Sequence, residues 1–165
     1  PACAQLDRSL ERYLDRHEGQ VQRVYRYLPL ASLHPWAEPA AIVSECAARQ
    51  GRFERARRTL FEHQADLGSV LAERPEESWD LPDLVAFRRC VRERQTAGVI
   101  QKDVAEAERL GLRSTPSLLL GQTLVVGTVP LSRWSTILDF ARRQGPAADR
   151  PTGRAQVSGC GCSAP

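Results

Sequence analysis

A chain of 165 residues and 18.4 kDa is long enough for one domain, or for one domain with an insertion. Its 42% hydrophobic and 26% charged residues fit a packed core under a soluble surface, and no apolar run reaches the roughly 18 residues of a membrane span. The net charge of +3 is carried almost entirely by arginine, with Lys102 the only lysine. The basic run 49–58 could be a phosphate patch, although its apolar residues recur at helical spacing, which favours a solvated helix face.

The first two thirds of the chain predict a helix, a strand and a block of helices. Leucine and tyrosine side chains recur at helical spacing from Gln5 to about Glu18, where Gly19 follows as a stop. The β-branched and aromatic residues of 21–28 predict a strand. Helices are then predicted over 40–50, 52–67, 81–95 and 97–110, with Gly68 as the stop of the second and Asp80 as the N-cap of the third.

The last third predicts a hairpin and a closing helix. Two apolar runs, Ser117–Leu120 and Thr123–Val126, flank Gly121, and glycine at the first central position fits a type II′ turn in an antiparallel hairpin. Residues 131–143 predict the closing helix. Residues 144–165 contain few large apolar side chains and many glycines and prolines, which predicts a flexible tail.

Five cysteines leave at least one without a partner inside these 165 residues. Cys46 and Cys90 lie on predicted helices, and they could be two buried free thiols or a structural disulfide, which an extracytoplasmic location would favour. Cys160 and Cys162 could relay electrons, bind a soft metal such as Cu(I), or have no role; the last is favoured because two ligands make an incomplete site. No cysteine or histidine spacing predicts a metal site.

Several segments, taken in chain order, carry a family resemblance. The PAC of residues 1–3 matches the end of a Cys-Pro-x-Cys motif that opens a helix, and VYRYLPLASLHPWAEPAA follows as a strand and turn. AFRRCV and VAEAERLGLRSTPSLLLGQTLVVGTVP come later in the same order. Over about residues 1–140 the chain resembles the DsbA-like thiol–disulfide oxidoreductases. This resemblance implies an α/β thioredoxin-like fold, β-α-β then β-β-α, with a core of 1–34 and 97–143 around a helical insertion of 35–96.

The resemblance also implies roles for individual residues. Cys3 would be the second, resolving cysteine of the active-site pair, and both the nucleophilic cysteine and the first, central strand would stand before Pro1. Without that strand, two strand edges of the sheet would be unpaired. The Thr115–Pro116 peptide bond would be cis, and the backbone of Thr115 would pair with an extended substrate chain. The alternative is a trans proline that merely starts a strand.

The predicted function is therefore thiol–disulfide exchange on cysteine-containing polypeptides, with a redox partner protein and without an organic cofactor, a metal or nucleic acid. The location implied by the resemblance is extracytoplasmic, in the periplasm or cell envelope. The alternative is a non-catalytic thioredoxin-fold module that binds polypeptides at the edge formed by Thr115 and Pro116, as a domain fused to a membrane protein.

Overall fold

The structure, a computed structural model, describes residues 1–73, 75–145 and 156–157. They divide into two compact units. The thiol unit contains residues 1–25 and the described part of 114–159, and the helical unit contains residues 26–113. In chain order the helices and strands are α1 (Ala2–Leu14), β1 (Gln22–Arg23), α2 (Ala37–Ala48), α3 (Phe53–Glu62), α4 (Leu67–Ala72), α5 (Leu84–Arg92), α6 (Ala97–Arg109), β2 (Ser117–Leu120), β3 (Thr123–Val126), α7 (Trp134–Gln144) and β4 (Gln156–Val157).

The hairpin of the thiol unit has the predicted strands and turn. Strands β2 and β3 are antiparallel, with Ser117 opposite Val126 and Leu120 opposite Thr123. Gly121 has a φ of +61°, the left-handed value that the first central position of a type II′ turn requires and that glycine adopts without a Cβ clash. All four residues of β2 are buried, whereas the residues of β3 alternate in exposure, so β2 is the inner strand.

The second pairing of the thiol unit was not predicted. Strands β1 and β4 are parallel, with Gln22 opposite Gln156 and Arg23 opposite Val157, and β4 also contacts β2. The two edges that we expected to be unpaired therefore both lie next to β4, within the segment predicted as a tail. The rest of that segment, 146–155 and 158–165 with Cys160 and Cys162, lies outside the described residues.

The strand predicted over 21–28 is reduced to two residues. Its partner strand β4 is itself described as only Gln156–Val157, so the ladder is short. Further along, the backbone N–H of Tyr27 donates to the carboxylate Oδ2 of Asp103 at 2.9 Å. The Asp103 side chain thus accepts the hydrogen bond that a backbone carbonyl of a neighbouring strand would otherwise accept. The residue types of the segment favour a strand, but strand pairing is limited to Gln22–Arg23 and a single β-bridge at Arg26.

An apolar cluster joins the elements of the thiol unit. Helices α1 and α7 each turn a stripe of large side chains toward β2. The polar atom of the largest of them is satisfied: Trp134 Nε1 donates to Ser9 Oγ at 2.8 Å, and that hydroxyl donates to the Val129 carbonyl at 2.6 Å. The buried members of the cluster include Leu6, Leu10, Tyr13, Leu118, Leu120, Trp134 and Leu138.

Two helix boundaries in the helical unit differ from the sequence prediction. Helix α5 begins at Leu84, because the side chain of Asp83 accepts a hydrogen bond from the Ala86 N–H at 2.8 Å; the predicted cap, Asp80, lies outside the helix with a φ of +56°. Gly68 does not stop a helix but lies inside α4. A Cβ atom there would be only 2.9 Å from the Trp36 indole, so glycine permits this close approach.

Candidate functional site

Cys3 lies in the first turn of α1 and is partly buried. The first N–H groups of a helix have no partner within the helix, and the helix dipole is positive there, so a thiolate at this position is stabilised. Cys3 is disulfide-bonded. The sequence-predicted active-site cysteine is therefore a disulfide sulfur at a helix N-terminus.

A buried carboxylate follows Cys3 by one helical turn. Asp7 is four residues further along α1, on the same face, and its side chain is 8% exposed. The Tyr25 hydroxyl donates to Asp7 Oδ1 at 2.7 Å, and Arg23 Nη1 lies 3.9 Å from the same oxygen. The Arg23 guanidinium carbon is also 4.6 Å from the Tyr25 ring centroid. Because a buried charge is stable only with such partners, these three side chains form one polar cluster.

These contacts fix the direction of α1 relative to β1. Val21, just before β1, packs against the same apolar cluster as Leu14 at the end of α1, whereas Tyr25, just after β1, bonds to Asp7 in the first half of the helix. Helix and strand are therefore antiparallel. Cys3 accordingly lies toward the C-terminal ends of the parallel strands β1 and β4.

The Thr115–Pro116 peptide bond lies directly before β2 and is cis, the isomer that the resemblance implied. Pro116 is buried and its carbonyl accepts the Gly127 N–H at 2.8 Å, while Thr115 is partly exposed. Cys3, Thr115 and Pro116 all belong to the thiol unit. The substrate-binding role of Thr115 remains a prediction.

Cys46 and Cys90 lie in the helical unit, where their Sγ atoms are bonded at 2.03 Å and their Cα atoms are 6.0 Å apart. This bond joins α2 to α5. The two cysteines are 1% and 5% exposed, so solvent thiols have little access to the sulfurs. Arg49 Nη1 lies 3.9 Å from the Cys90 sulfur. The burial of the bond indicates a structural cross-link rather than an exchanging disulfide.

The helical unit also contains a polar cluster that the sequence gave no reason to expect. Tyr27 donates its hydroxyl to Glu45 Oε2 at 2.9 Å and its N–H to Asp103, which also pairs with Arg26 at 3.2 Å. Burial raises the pKa of Glu45, as does the nearby Asp103 carboxylate, while the Tyr27 hydrogen bond opposes the shift. The side chains come from three separate segments, so no motif spacing connects them. Within the described residues, no cluster of histidine, cysteine and carboxylate side chains is suited to hold a metal ion.

Comparison with known proteins identifies related sequences. The family described as Thioredoxin (Thioredoxin_4) matches residues 1–140. The chain is 35% identical over 120 residues to the Na(+)/H(+) antiporter NhaA 3 of Salinispora tropica and 32% identical over 120 residues to NhaA 1 of Salinispora arenicola. It is 31% identical over 127 residues to NhaA 1 of Mycolicibacterium vanbaalenii.

Each of these matches covers 73% of the chain but only 18% to 20% of the relative, so the chain spans about a fifth of the length of these antiporters. Within the part of the chain that the structure describes, every helix is too short or too polar to cross a bilayer. No solved structure matches. Since the family match covers residues 1–140 of 165, the chain belongs to this thioredoxin family.

Proposed function

We propose that the chain exchanges disulfides with cysteine-containing polypeptides, as a member of the DsbA-like class. The observation that carries this proposal is the disulfide-bonded Cys3 in the first turn of α1, within the residues that the thioredoxin family matches. The buried Cys46–Cys90 bond is far less accessible, which leaves Cys3 as the exchanging sulfur among the described cysteines.

The chemistry needs no cofactor. A substrate thiolate attacks the disulfide at Cys3, one sulfur–sulfur bond breaks, and a mixed disulfide with the substrate forms while the displaced sulfur leaves as a thiolate. A second substrate thiolate then breaks the mixed disulfide. The substrate loses two electrons and gains a disulfide, and the chain ends with two thiols. When Cys3 is the leaving group, the N-terminus of α1 stabilises its negative charge and speeds the step.

The finer architecture that goes with this function is a thioredoxin-like sheet in the order β1, β4, β2, β3, flanked by α1 and α7, with a helical insertion in the middle of the chain. Support comes from the parallel β1–β4 pairing, the β4–β2 contact and the β2–β3 hairpin. In this arrangement the backbone of Thr115 is the edge at which an extended substrate would add as a strand.

An extracytoplasmic location belongs to the same proposal. The Cys46–Cys90 disulfide supports it, since structural disulfides persist mainly in oxidising compartments. A second candidate function is favoured by the relatives: a thioredoxin-type module attached to a membrane antiporter, binding a polypeptide segment of it without turnover. Its support is that three related antiporters carry the matching region as only about a fifth of their length.

Oxidative refolding of a reduced, multi-disulfide substrate distinguishes these functions. We expect the oxidised chain to form substrate disulfides and Cys3→Ser to lose this activity. A variant with one cysteine added directly before Pro1 should turn over faster, because a second thiol next to Cys3 helps to resolve mixed disulfides. The Cys160→Ser/Cys162→Ser variant measures what these two cysteines contribute. Full activity in Cys3→Ser would refute the proposal, and saturable substrate binding without turnover in every variant would favour the antiporter-attached module.

A further inference from the structure

A half-open cleft in the helical unit encloses a cavity volume of about 320 Å³. Its volume is within the range of small-molecule sites, roughly 300–1,000 Å³. Most of its wall is apolar, and side chains of α2 and α5 supply the larger part of it. The apolar lining residues are Trp36, Pro39, Ile42, Val43, Leu71, Phe87 and Val91.

The charged residues that line the cavity are mostly cationic. Arg88, Arg92 and Arg94 contribute to the lining, against a single carboxylate, Glu76. Arg92 and Arg94 are 70% and 52% exposed at their side chains, so a solute can reach them. Each has one carboxylate partner, and a carboxylate accepts at most two of the five guanidinium N–H groups from one side. Further N–H donors therefore remain for a bound anion.

Arg94 occupies its position against the preference of the backbone. It has a φ of +48° directly after α5, where its N–H donates to the Val91 carbonyl at 3.1 Å and the next N–H, of Gln95, donates to the Cys90 carbonyl at 3.0 Å. This hydrogen-bond pattern normally ends on glycine, because a residue with a Cβ is less stable at a positive φ. The backbone thus favours glycine, and what arginine adds is a guanidinium group at the cavity, paired with Glu38.

The wall formed by Trp36 depends on a second unusual position. Trp36 is 50% exposed although it is among the largest side chains in the chain. Its indole lies so close to Gly68 in α4 that any Cβ atom at position 68 would collide with it at 2.9 Å. The glycine weakens α4, since glycine is a poor helix former. In return, the indole can lie flat beside α4 as one wall of the cavity.

From this geometry we infer that the cavity binds a small amphipathic anion, a molecule with an apolar body of medium-chain length and one carboxylate. The apolar body fills the space between α2 and α5, and the carboxylate binds the guanidinium groups of Arg92 and Arg94 at the mouth. This binding uses no cysteine and does not rest on the thiol–disulfide function.

Decanoate, below its micelle-forming concentration, is the probe. Decanol has the same chain without the charge, and decyltrimethylammonium has the opposite charge. We expect calorimetric titration to show one decanoate per chain, bound at least about tenfold more tightly than either control, since a charge-assisted hydrogen bond contributes more than 1 kcal/mol. Quenching of tryptophan fluorescence should follow the same isotherm and disappear in Trp36→Phe.

Arg94→Gly is the sharpest variant, because it removes the guanidinium while giving the backbone the residue that it favours. Its melting temperature should stay level or rise, while decanoate affinity falls towards that of decanol, with Arg92 as the remaining guanidinium. Glu38→Gln should leave the fold intact and tighten decanoate binding, since it frees Arg94. Arg109→Gln, on the exposed face of α6, removes an equal charge away from the cavity and should leave the decanoate affinity unchanged. Equal affinity for decanoate and decanol, unchanged affinity in folded Arg94→Gly, or no decanoate binding would each overturn the inference.

Discussion

Tyr25 and Tyr27 are two residues apart, yet they belong to different units and illustrate how these units are stabilised. Tyr25 donates to Asp7 in the thiol unit, whose apolar core cluster consists mostly of leucine side chains together with Tyr13, Val129, Trp134 and Ala141. Tyr27, which is fully buried, donates to Glu45 and Asp103 in the helical unit, which also contains the Cys46–Cys90 bond. The helical unit is therefore stabilised by a buried cross-link and a buried carboxylate as well as by packing, whereas the described core of the thiol unit depends mainly on apolar packing.

The largest expected effect tests the covalent part of this comparison. Replacing both cysteines, in Cys46→Ser/Cys90→Ser, opens a loop whose ends are 44 residues apart in sequence. Chain-entropy arguments for a loop of that length predict a loss of about 4 kcal/mol of unfolding free energy. For a chain of this size, that corresponds to a melting temperature lower by about 8–16 °C. Calorimetry checks this, and a shift below about 2 °C would show that the cross-link adds little.

The next effect tests packing in the thiol unit. Leu118 on β2 is 0% exposed, so Leu118→Ala leaves a cavity and should lower the unfolding free energy by about 2–5 kcal/mol. Leu124→Ala, on the partly exposed outer strand β3, is the matched control and should lower it by less than about 1 kcal/mol. Urea denaturation measures both. Comparable losses would mean that β2 is not the inner strand.

The two tyrosines provide a paired test of the polar clusters. Tyr27→Phe removes the donor to Glu45 and should lower the unfolding free energy by about 1–3 kcal/mol at pH 7, where the carboxylate needs a partner. The loss should shrink near pH 4, because protonated Glu45 needs that donor less. Tyr25→Phe removes one hydroxyl from the Asp7 cluster and shows what a buried tyrosine hydroxyl contributes in the thiol unit. A loss in Tyr27→Phe that is the same at both pH values would contradict a titrating Glu45.

The smallest effect concerns Glu45 itself. Burial raises the pKa of Glu45 in the folded chain above its unfolded value of 4.5, so the folded state binds this proton more tightly. The resulting stability is fully present below pH 4.5 and is lost as pH rises through the raised pKa. Glu45→Gln, which mimics the protonated form, should therefore be more stable than the parent at neutral pH, and the difference should narrow in acid.

Glu93→Gln is the control for this pH series. Its hydrogen bond from Gln95 lowers the pKa of Glu93, the direction opposite to Glu45, but Glu93 is exposed and solvent screens its charge. The urea midpoint of each variant is compared with that of the parent chain at pH 4 and at pH 7.5. The difference from the parent should change between the two pH values for Glu45→Gln and should be the same within error for Glu93→Gln. Two flat profiles would show that the helical unit tolerates the Glu45 charge without penalty.

The sequence predicted those elements that rest on local signals. The hairpin 117–126 could be predicted with its turn because two short apolar runs on either side of Gly121 suffice to specify it. The boundaries at Asp80 and Gly68 were wrong, because the choice between two nearby aspartates and the packing of Trp36 against a glycine depend on tertiary contacts. Strand β4 was missed for the same reason: two residues in a polar segment carry no periodicity.

The candidate site divides in the same way. Cys3 and the Thr115–Pro116 pair could be predicted because they belong to motifs that are contiguous in the sequence, and their roles stay predictions. The polar cluster around Tyr27 and the cavity at Trp36 were not found, since their members come from separated segments and consist of ordinary residue types. The positive φ of Arg94 is an unusual backbone torsion angle that draws attention to the cavity, and a torsion angle cannot be read from a sequence.

The parallel pairing of Gln22 with Gln156 has a consequence for biosynthesis. Translation delivers β1 early and β4 only after the whole helical unit and the hairpin have left the ribosome. Contacts between such distant residues form slowly, because a long loop must close first. Until β4 is synthesised, the sides of β1 and β2 that lie next to it lack this partner, and an unpaired strand side can pair with other nascent chains. We expect a chaperone that shields extended segments to raise the yield of folded chain, and slowed translation of residues 114–145 to lower it.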